Sequence, residues 1–213
     1  MSKDRLKEVK SNEENEVNLS LITLTQEEYI TRSEIFEQIE GETGFLRTEW
    51  PKVYEDLEYA GWMNTPSEPT QRFILMQGPV ISAHAAVLER DVEIGGVHVR
   101  IAGLGGMIVR QEERSKGYGS KVSKSASAWI TINAQERDLD MALLICDPSL
   151  IPFYEKFGWT VLPQSQEIKY GITEETSHSM QAGQVTMAIY LSEKATNSQA
   201  DIERYNSYLG KPF

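Results

Sequence analysis

Met107-Ile108-Val109-Arg110-Gln111-Glu112-Glu113-Arg114-Ser115-Lys116-Gly117-Tyr118-Gly119-Ser120 is the stretch on which the fold of this 213-residue chain turns. Val97 to Val109 reads as a strand that delivers the chain to a loop. The loop carries two glycines, and a helix starts at once, with Val122, Ala126, Trp129 and Ile130 as its apolar stripe and an end near Gln135. That order gathers backbone N–H groups at a helix N-terminus, where partial positive charge collects. Gly117 and Gly119 have no Cβ to hold a phosphate at a distance. Residues 110–124 hold five basic and two acidic side chains, net +3, within a chain of net charge −11. Such a positive island suits a bound pyrophosphate. It equally suits an ordinary helix start with a solvated basic face. The pattern is neither GxxxxGK[ST] nor GxGxxG; what stands here is R-x-x-G-x-G after a strand.

Upstream, Val17 to Leu24 alternates as a strand does, and Thr25 with Glu28 forms a capping box for a helix running to about Ile39. Pro51 opens a second helix carrying Val53, Tyr54, Leu57 and Tyr59. Phe73 to Met76 and Val80 to Ile94 read as strands. The Gly95-Gly96 pair is a two-residue hairpin signal that sets Asp91 opposite Arg100, Glu93 opposite His98 and His84 opposite Met107. Downstream, Met141 to Ile145 is the continuous apolar run of a strand buried on both faces. A short helix follows to Phe157-Gly158. Trp159–Leu162 and Val185–Leu191 read as the last two strands, and Asn197–Tyr208 as a terminal helix. The order is β-α-α-β-β-β-α-β-α-β-β. Residues 1–16 read as a flexible tail and 17–213 as one domain.

Composition narrows the function. With 40% apolar and 25% charged residues the chain is an ordinary globular mixture. Its acidity argues against nucleic acid as a partner, because an acidic surface repels phosphates. The single cysteine, Cys146, excludes an internal disulfide and cysteine-based zinc sites; at the end of an apolar strand it reads as a buried, inert thiol. No metal is expected. No apolar run reaches membrane-spanning length, and the charged start lacks the apolar core of an export signal, so the expected location is the cytoplasm.

Arg114-Ser115-Lys116-Gly117-Tyr118-Gly119 resembles the acyl-CoA signature of the GCN5-related N-acetyltransferases, the GNAT superfamily. The later run Phe153-Tyr154-Glu155-Lys156-Phe157-Gly158-Trp159 resembles that family's Y-x-K-x-G-[FW] motif, on a short helix before a strand. Gln111 stands where the family often has proline, and Asp147 where it often has an asparagine bound to pantetheine. The resemblance implies an α/β (α+β) fold. Its sheet is mixed but mostly antiparallel, with six to seven strands flanked by about four helices and a splay between the strands ending near Val109 and Ile145. It implies acetyl-CoA as co-substrate, with its pyrophosphate on Arg114 to Ser120 (Tyr118 and Ser120 included) and its pantetheine arm along the backbone of Met107 and Val109. It implies that Tyr154 protonates the departing thiolate. A faint likeness in layout to aminoglycoside 2′-N-acetyltransferases adds an amino-sugar to the candidate acceptors.

Direct acetyl transfer also needs a polarised carbonyl and a base. The backbone N–H around Ile108 suits the first task. For the second the candidates are His84, Glu89 and the acids Glu40, Glu42 and Glu49, with His84 first because of its expected place opposite Met107. Glu89 and Glu93 also suit a role as hairpin surface charges. Residues 26–62 contain ten acidic and three basic residues, so Glu40, Glu42 and Glu49 suit a negative wall for an amine; two solvated helix faces would read the same way. The expected reaction is N-acetylation of a small cationic amine or amino-sugar. The alternatives are a protein or peptide N-acetyltransferase, or a CoA-binding regulator without turnover. Expected partners are the small-molecule amine and, as an option, a second copy in a homodimer; a membrane is not among them.

Overall fold

The computed structural model describes residues 18–51, 69–163, 168–170, 178–179, 183–204 and 207–208. Strand β1 (Leu19–Thr25) leads into helices α1 (Gln26–Ile30), α2 (Ser33–Ile39) and α3 (Phe45–Glu49). The long meander follows: β2 (Gln71–Gln77), β3 (Val80–Ile94) and β4 (Val97–Val109). Helix α4 (Tyr118–Asn133), strand β5 (Met141–Cys146), helix α5 (Ile151–Tyr154) and strand β6 (Thr160–Val161) carry the chain across the sheet. Then come β7 (Ile168–Tyr170), β8 (His178–Ser179), β9 (Val185–Tyr190), α6 (Glu193–Asn197), α7 (Gln199–Ile202) and β10 (Ser207–Tyr208). Seven strands form one sheet in the order β1-β2-β3-β4-β5-β9-β6, and β10-β7-β8 form a small second one. Only the β4–β5 pair is parallel in the large sheet. None of the described helices is long and apolar enough to cross a membrane.

The local signals act as expected where the interaction is local. Thr25 Oγ1 accepts from Glu28 N while Glu28 reaches back to Thr25 N, closing the capping box of α1. The hairpin register is Asp91↔Arg100 and Glu93↔His98; an ion pair joins the first, and in the second His98 Nε2 lies 3.2 Å from a Glu93 carboxylate oxygen. Several expectations are corrected. The helix drawn from Thr25 to Ile39 is two helices, broken at Thr31-Arg32, where Thr31 Oγ1 donates to the Glu28 carbonyl. Ile30, at the end of the first, is 63% exposed. Seven described helices replace about four, several of them a single turn, and α3 and the small sheet were not anticipated. The terminal helix is replaced by α6, α7 and strand β10. The tail 1–16 and the helix residues Val53, Tyr54, Leu57 and Tyr59 lie outside the described residues.

Two layers cover the sheet. On one face α4 packs Val122, Ala126 and Ile130 onto Phe73, Ala85, Val87 and Leu104. On the other, α1 to α3 pack Tyr29, Ile35, Ile39 and Leu46 onto Ile74, Ile81 and Ile108. Two irregularities of β4 position everything that follows. The ladder to β5 covers only Ile101↔Met141 to Gly103↔Leu143, after which the strands part while β4 runs on to Val109 and β5 to Cys146. In addition, the β3 register shifts by one between His84 and Ala86, so His84 lies opposite Ile108 and not opposite Met107 as the hairpin count had it. The extra residue is a β-bulge at Gly106, whose φ is +56°.

Candidate functional site

The loop after β4 is built to present backbone donors. A one-turn 3₁₀ helix (Gln111–Glu113) turns the chain away from the sheet. Ser115 (φ +66°) and Gly117 (φ +79°) then adopt left-handed backbone, which makes a concave run of N–H groups at the start of α4. Gly117 caps the helix, and a Cβ on it would meet nothing within 4 Å, so this point of the loop is open to a ligand. Gly119 serves a different need. A Cβ there would come within 3.2 Å of both Met107 Cε and Val109 Cγ2, so its missing side chain lets α4 lie against β4. The Tyr118 ring is buried in the core beneath α4, which leaves only its backbone for a ligand, while Ser120 is half-buried in the first turn. The cradle thus fits a phosphate through Ser115 to Ser120, chiefly by backbone groups.

The cations of the loop are held by carboxylates from two places. Arg114 Nη2 sits 2.9 Å from both oxygens of Glu49 at the end of α3, and its Nε donates to Val109 O at 3.2 Å. Lys116 Nζ pairs with Glu113 at 2.8 Å. Beside the loop lies the mouth of the splay. Arg100 O accepts from Asp140 N at the β5 edge, whereas beyond the bulge Arg110 N donates to Ser82 O of β3. Backbone groups alternate along a strand, so Ile108 N–H points to β3, and Met107 and Val109 point into the open side. Met107 therefore replaces Ile108 as the amide available there.

Across the splay, β5 ends on Cys146 and Asp147. The Cys146 thiol is 5% exposed, 3.8 Å from Met187 Sδ, and burial with the neighbouring Asp147 charge pushes it up to about 11. It is buried, as expected, and holds its proton at neutral pH. Asp147 is exposed and its carboxylate accepts from Ser149 N at 2.8 Å, capping the next turn; that hydrogen bond holds it below the usual carboxylate range. Tyr154 closes α5 beside them, 5% exposed, with its ring edge-on to Phe153 at 4.9 Å. Burial first and the Cys146 thiol second raise its hydroxyl well above its ordinary value, so it keeps its proton throughout the neutral range.

The acids and the histidine do not form the group that the sequence suggested. Glu40 is buried, 2.7 Å from Arg72 Nη2, and accepts from Tyr29 Oη at 2.9 Å; it belongs to the core. Glu49 is tied to Arg114, and of the three acids only Glu42 stands exposed without an ion pair among the described residues. His84 is wholly buried. Its Nδ1 lies 2.8 Å from Gly106 O and its Nε2 3.3 Å from Arg72 Nη1. Burial, and then the Arg72 charge, lower it to about 3, so it stays neutral and cannot take a proton from an amine at neutral pH. That removes His84 from the base role. Glu89, read as a surface charge, is sunk between Arg100 and Arg137 with a side chain 4% exposed. The residues that sequence reasoning missed are Arg72, Tyr29 and Gly106. No local signal marked them: a two-residue turn at Gly78-Pro79 would set Phe73 against His84, and only the register shift between Leu75 and Met76 brings Ile74 opposite His84 and Arg72 diagonal to it on the same face.

Known proteins share this arrangement of elements. The structure of Escherichia coli ElaA is 16% identical, with a TM-score of 0.52 over 80% of this chain and 98% of that one. A putative N-acetyltransferase from Lactobacillus plantarum is 13% identical, with a TM-score of 0.50 over 82% of this chain and 99% of that one. YhbS of Escherichia coli, a GNAT family N-acetyltransferase in complex with CoA, is 12% identical, with a TM-score of 0.50 over 89% and 88% of the two chains. At such identities the likeness is one of fold. No curated protein matches the sequence. The family model for the acetyltransferase (GNAT) domain matches residues 32–162, more than half of the chain, including the bulge, the left-handed loop and Tyr154. This chain belongs to the GNAT acetyltransferase family.

Proposed function

We propose that this protein is an acetyl-CoA-dependent N-acetyltransferase that passes the acetyl group directly to a primary amine, with a small cationic amine or amino-sugar as acceptor. The observation that carries the reading is the left-handed, open cradle at Gly117, set at the mouth of the β4–β5 splay with Tyr154 beyond it. In this reading Ser115 to Ser120 hold the pyrophosphate, and Met107 and Val109 hold the pantetheine arm through their backbone. The Met107 N–H polarises the thioester carbonyl. The amine nitrogen then attacks the carbonyl carbon. A C–N bond forms, the C–S bond breaks, the ammonium proton passes to water, and the sulfur takes the Tyr154 proton, which solvent returns. Asp147 reaches the arm only by its backbone or its second oxygen, since the first caps the turn. The net charge of −11 favours a cationic acceptor; the three-acid wall no longer does.

The test is thiol release from acetyl-CoA over a screen of amines, aminoglycosides and peptides. Turnover with small amines supports the reading. Turnover with peptides alone would overturn its acceptor half, and CoA binding without turnover would make the protein a regulator. Gly117→Glu puts a side chain and a negative charge into the cradle. Calorimetry on the folded variant should show acetyl-CoA bound at least ~10-fold more weakly, or about 1.4 kcal/mol; unchanged affinity removes the loop from the site.

The ion pair between Glu49 and Arg114 predicts the opposite sign for a second variant. If the pyrophosphate and Glu49 compete for Arg114, Glu49→Gln frees the cation and tightens acetyl-CoA binding by roughly 2- to 5-fold, as suits a half-exposed pair. The gain should shrink as salt is raised. Weaker binding would mean that Glu49 helps to build the loop and does not compete with the ligand.

A further inference from the structure

A chain of four buried side chains ends on the backbone of the bulge. Tyr29, Glu40, Arg72 and His84 are 1%, 4%, 2% and 0% exposed. Tyr29 Oη donates to Glu40, whose Oε1 lies 2.7 Å from Arg72 Nη2, and the Arg72 guanidinium lies 3.7 Å over the Tyr29 ring. Arg72 Nη1 lies 3.3 Å from His84 Nε2. A guanidinium only donates, so Nε2 must accept, and the ring proton sits on Nδ1. That proton is donated to Gly106 O at 2.8 Å. Gly106 is constrained from both sides, since its φ is +56° and a Cβ on it would stand 3.2 Å from His84 Cε1.

We propose that Tyr29, Glu40, Arg72 and His84 are positioning residues for acyl transfer: they hold the Gly106 carbonyl out of the ladder and so aim the Met107 amide into the splay. The proposal rests on the acyltransferase reading above. The bulge reverses which face and which edge each residue of β4 serves. Before it, Ala102 and Leu104 face α4; after it, Met107 and Val109 do, and Ile108 turns to α1–α3. Without the reversal, the Met107 N–H would point at β3 and be used up in the ladder. The carbonyl turned out by the bulge needs a buried donor, and His84 is that donor. Stability alone gives little reason for an ion pair here, because apolar side chains of similar volume commonly fill such a place as well or better. A fixed tautomer ending on one carbonyl does give a reason.

The experiment uses acetyl-CoA labelled with carbon-13 at the carbonyl, bound to wild type, His84→Leu and His84→Asn. Asparagine keeps a donor near the Nδ1 position; leucine keeps none. In wild type the bound carbonyl resonance should move from its free value, as hydrogen bonding to Met107 requires. In His84→Leu it should return toward the free value. There kcat falls by roughly 10-fold or more while Kd for acetyl-CoA stays within about 3-fold, because the cradle is untouched. His84→Asn should recover most of both. A His84→Leu that lowers only the melting temperature, with resonance and kcat unmoved, overturns the proposal and leaves the acyltransferase reading standing. A wild type that does not bind acetyl-CoA overturns both. If His84→Leu does not fold, Arg72→Lys provides the test. It keeps a charge for Glu40 but loosens the hold on Nε2, so the resonance should shift partway; an unshifted resonance overturns the proposal.

Discussion

Arg72→Met should lower the unfolding free energy by about 3–5 kcal/mol, measured by chemical denaturation. The physical cause is the partner left behind. Glu40 is buried, and its remaining hydrogen bond, from Tyr29, cannot offset a carboxylate held away from water. His84 Nε2 loses its donor at the same time. The double variant Arg72→Met/Glu40→Met removes both charges together and should recover most of the loss, leaving about 1–2 kcal/mol for the hydrogen bonds that Tyr29 and His84 each lose. Equal losses in the single and double variants would show that the pair contributes no coupling and that Arg72 matters only for its volume.

Tyr154→Phe should reduce kcat by roughly 10²-fold with Kd for acetyl-CoA little changed. The ring keeps its contact with Phe153 and its place in the core, so only the proton donor is lost. Burial raises the hydroxyl well above the ordinary tyrosine value, which keeps it in the donating form at every pH an amine substrate would be tested at. The same shift makes it a reluctant acid. Its contribution therefore comes in the transition state, when negative charge gathers on sulfur, and the loss should fall on kcat and kcat/KM alike. If kcat is untouched, the sulfur leaves unaided or takes its proton from water, and Tyr154 is a core aromatic only.

Legibility followed sequence distance. The strand–loop–helix at Met107 to Ser120, the capping box at Thr25 and the hairpin at Gly95-Gly96 could each be read because the residues that decide them are neighbours. The place of Tyr154 on a short helix before a strand was legible through the spacing of a short motif. Glu40 was not. In sequence it is one acid among ten between residues 26 and 62, and nothing local distinguishes a solvated carboxylate from one that meets Arg72 across the sheet. The Glu49–Arg114 pair spans 65 residues and was equally hidden. The break at Thr31-Arg32 was missed because an apolar periodicity can continue across a turn that the backbone does not.

What the sequence by itself determined is the strands of the large sheet, helix α4 and the loop between β4 and α4, since local backbone preference, capping and hydrophobic period act over a few residues. What only the tertiary structure decided is which polar groups remain free. One inserted residue at Gly106 moves His84 from opposite Met107 to opposite Ile108 and exchanges the amide that faces the splay. Burial then turns a candidate base into a neutral donor and Glu40 into a core ion-pair partner, while Arg114 takes up Glu49 at the surface. Register and desolvation arise from contacts between distant segments, and no single stretch of the chain carries them.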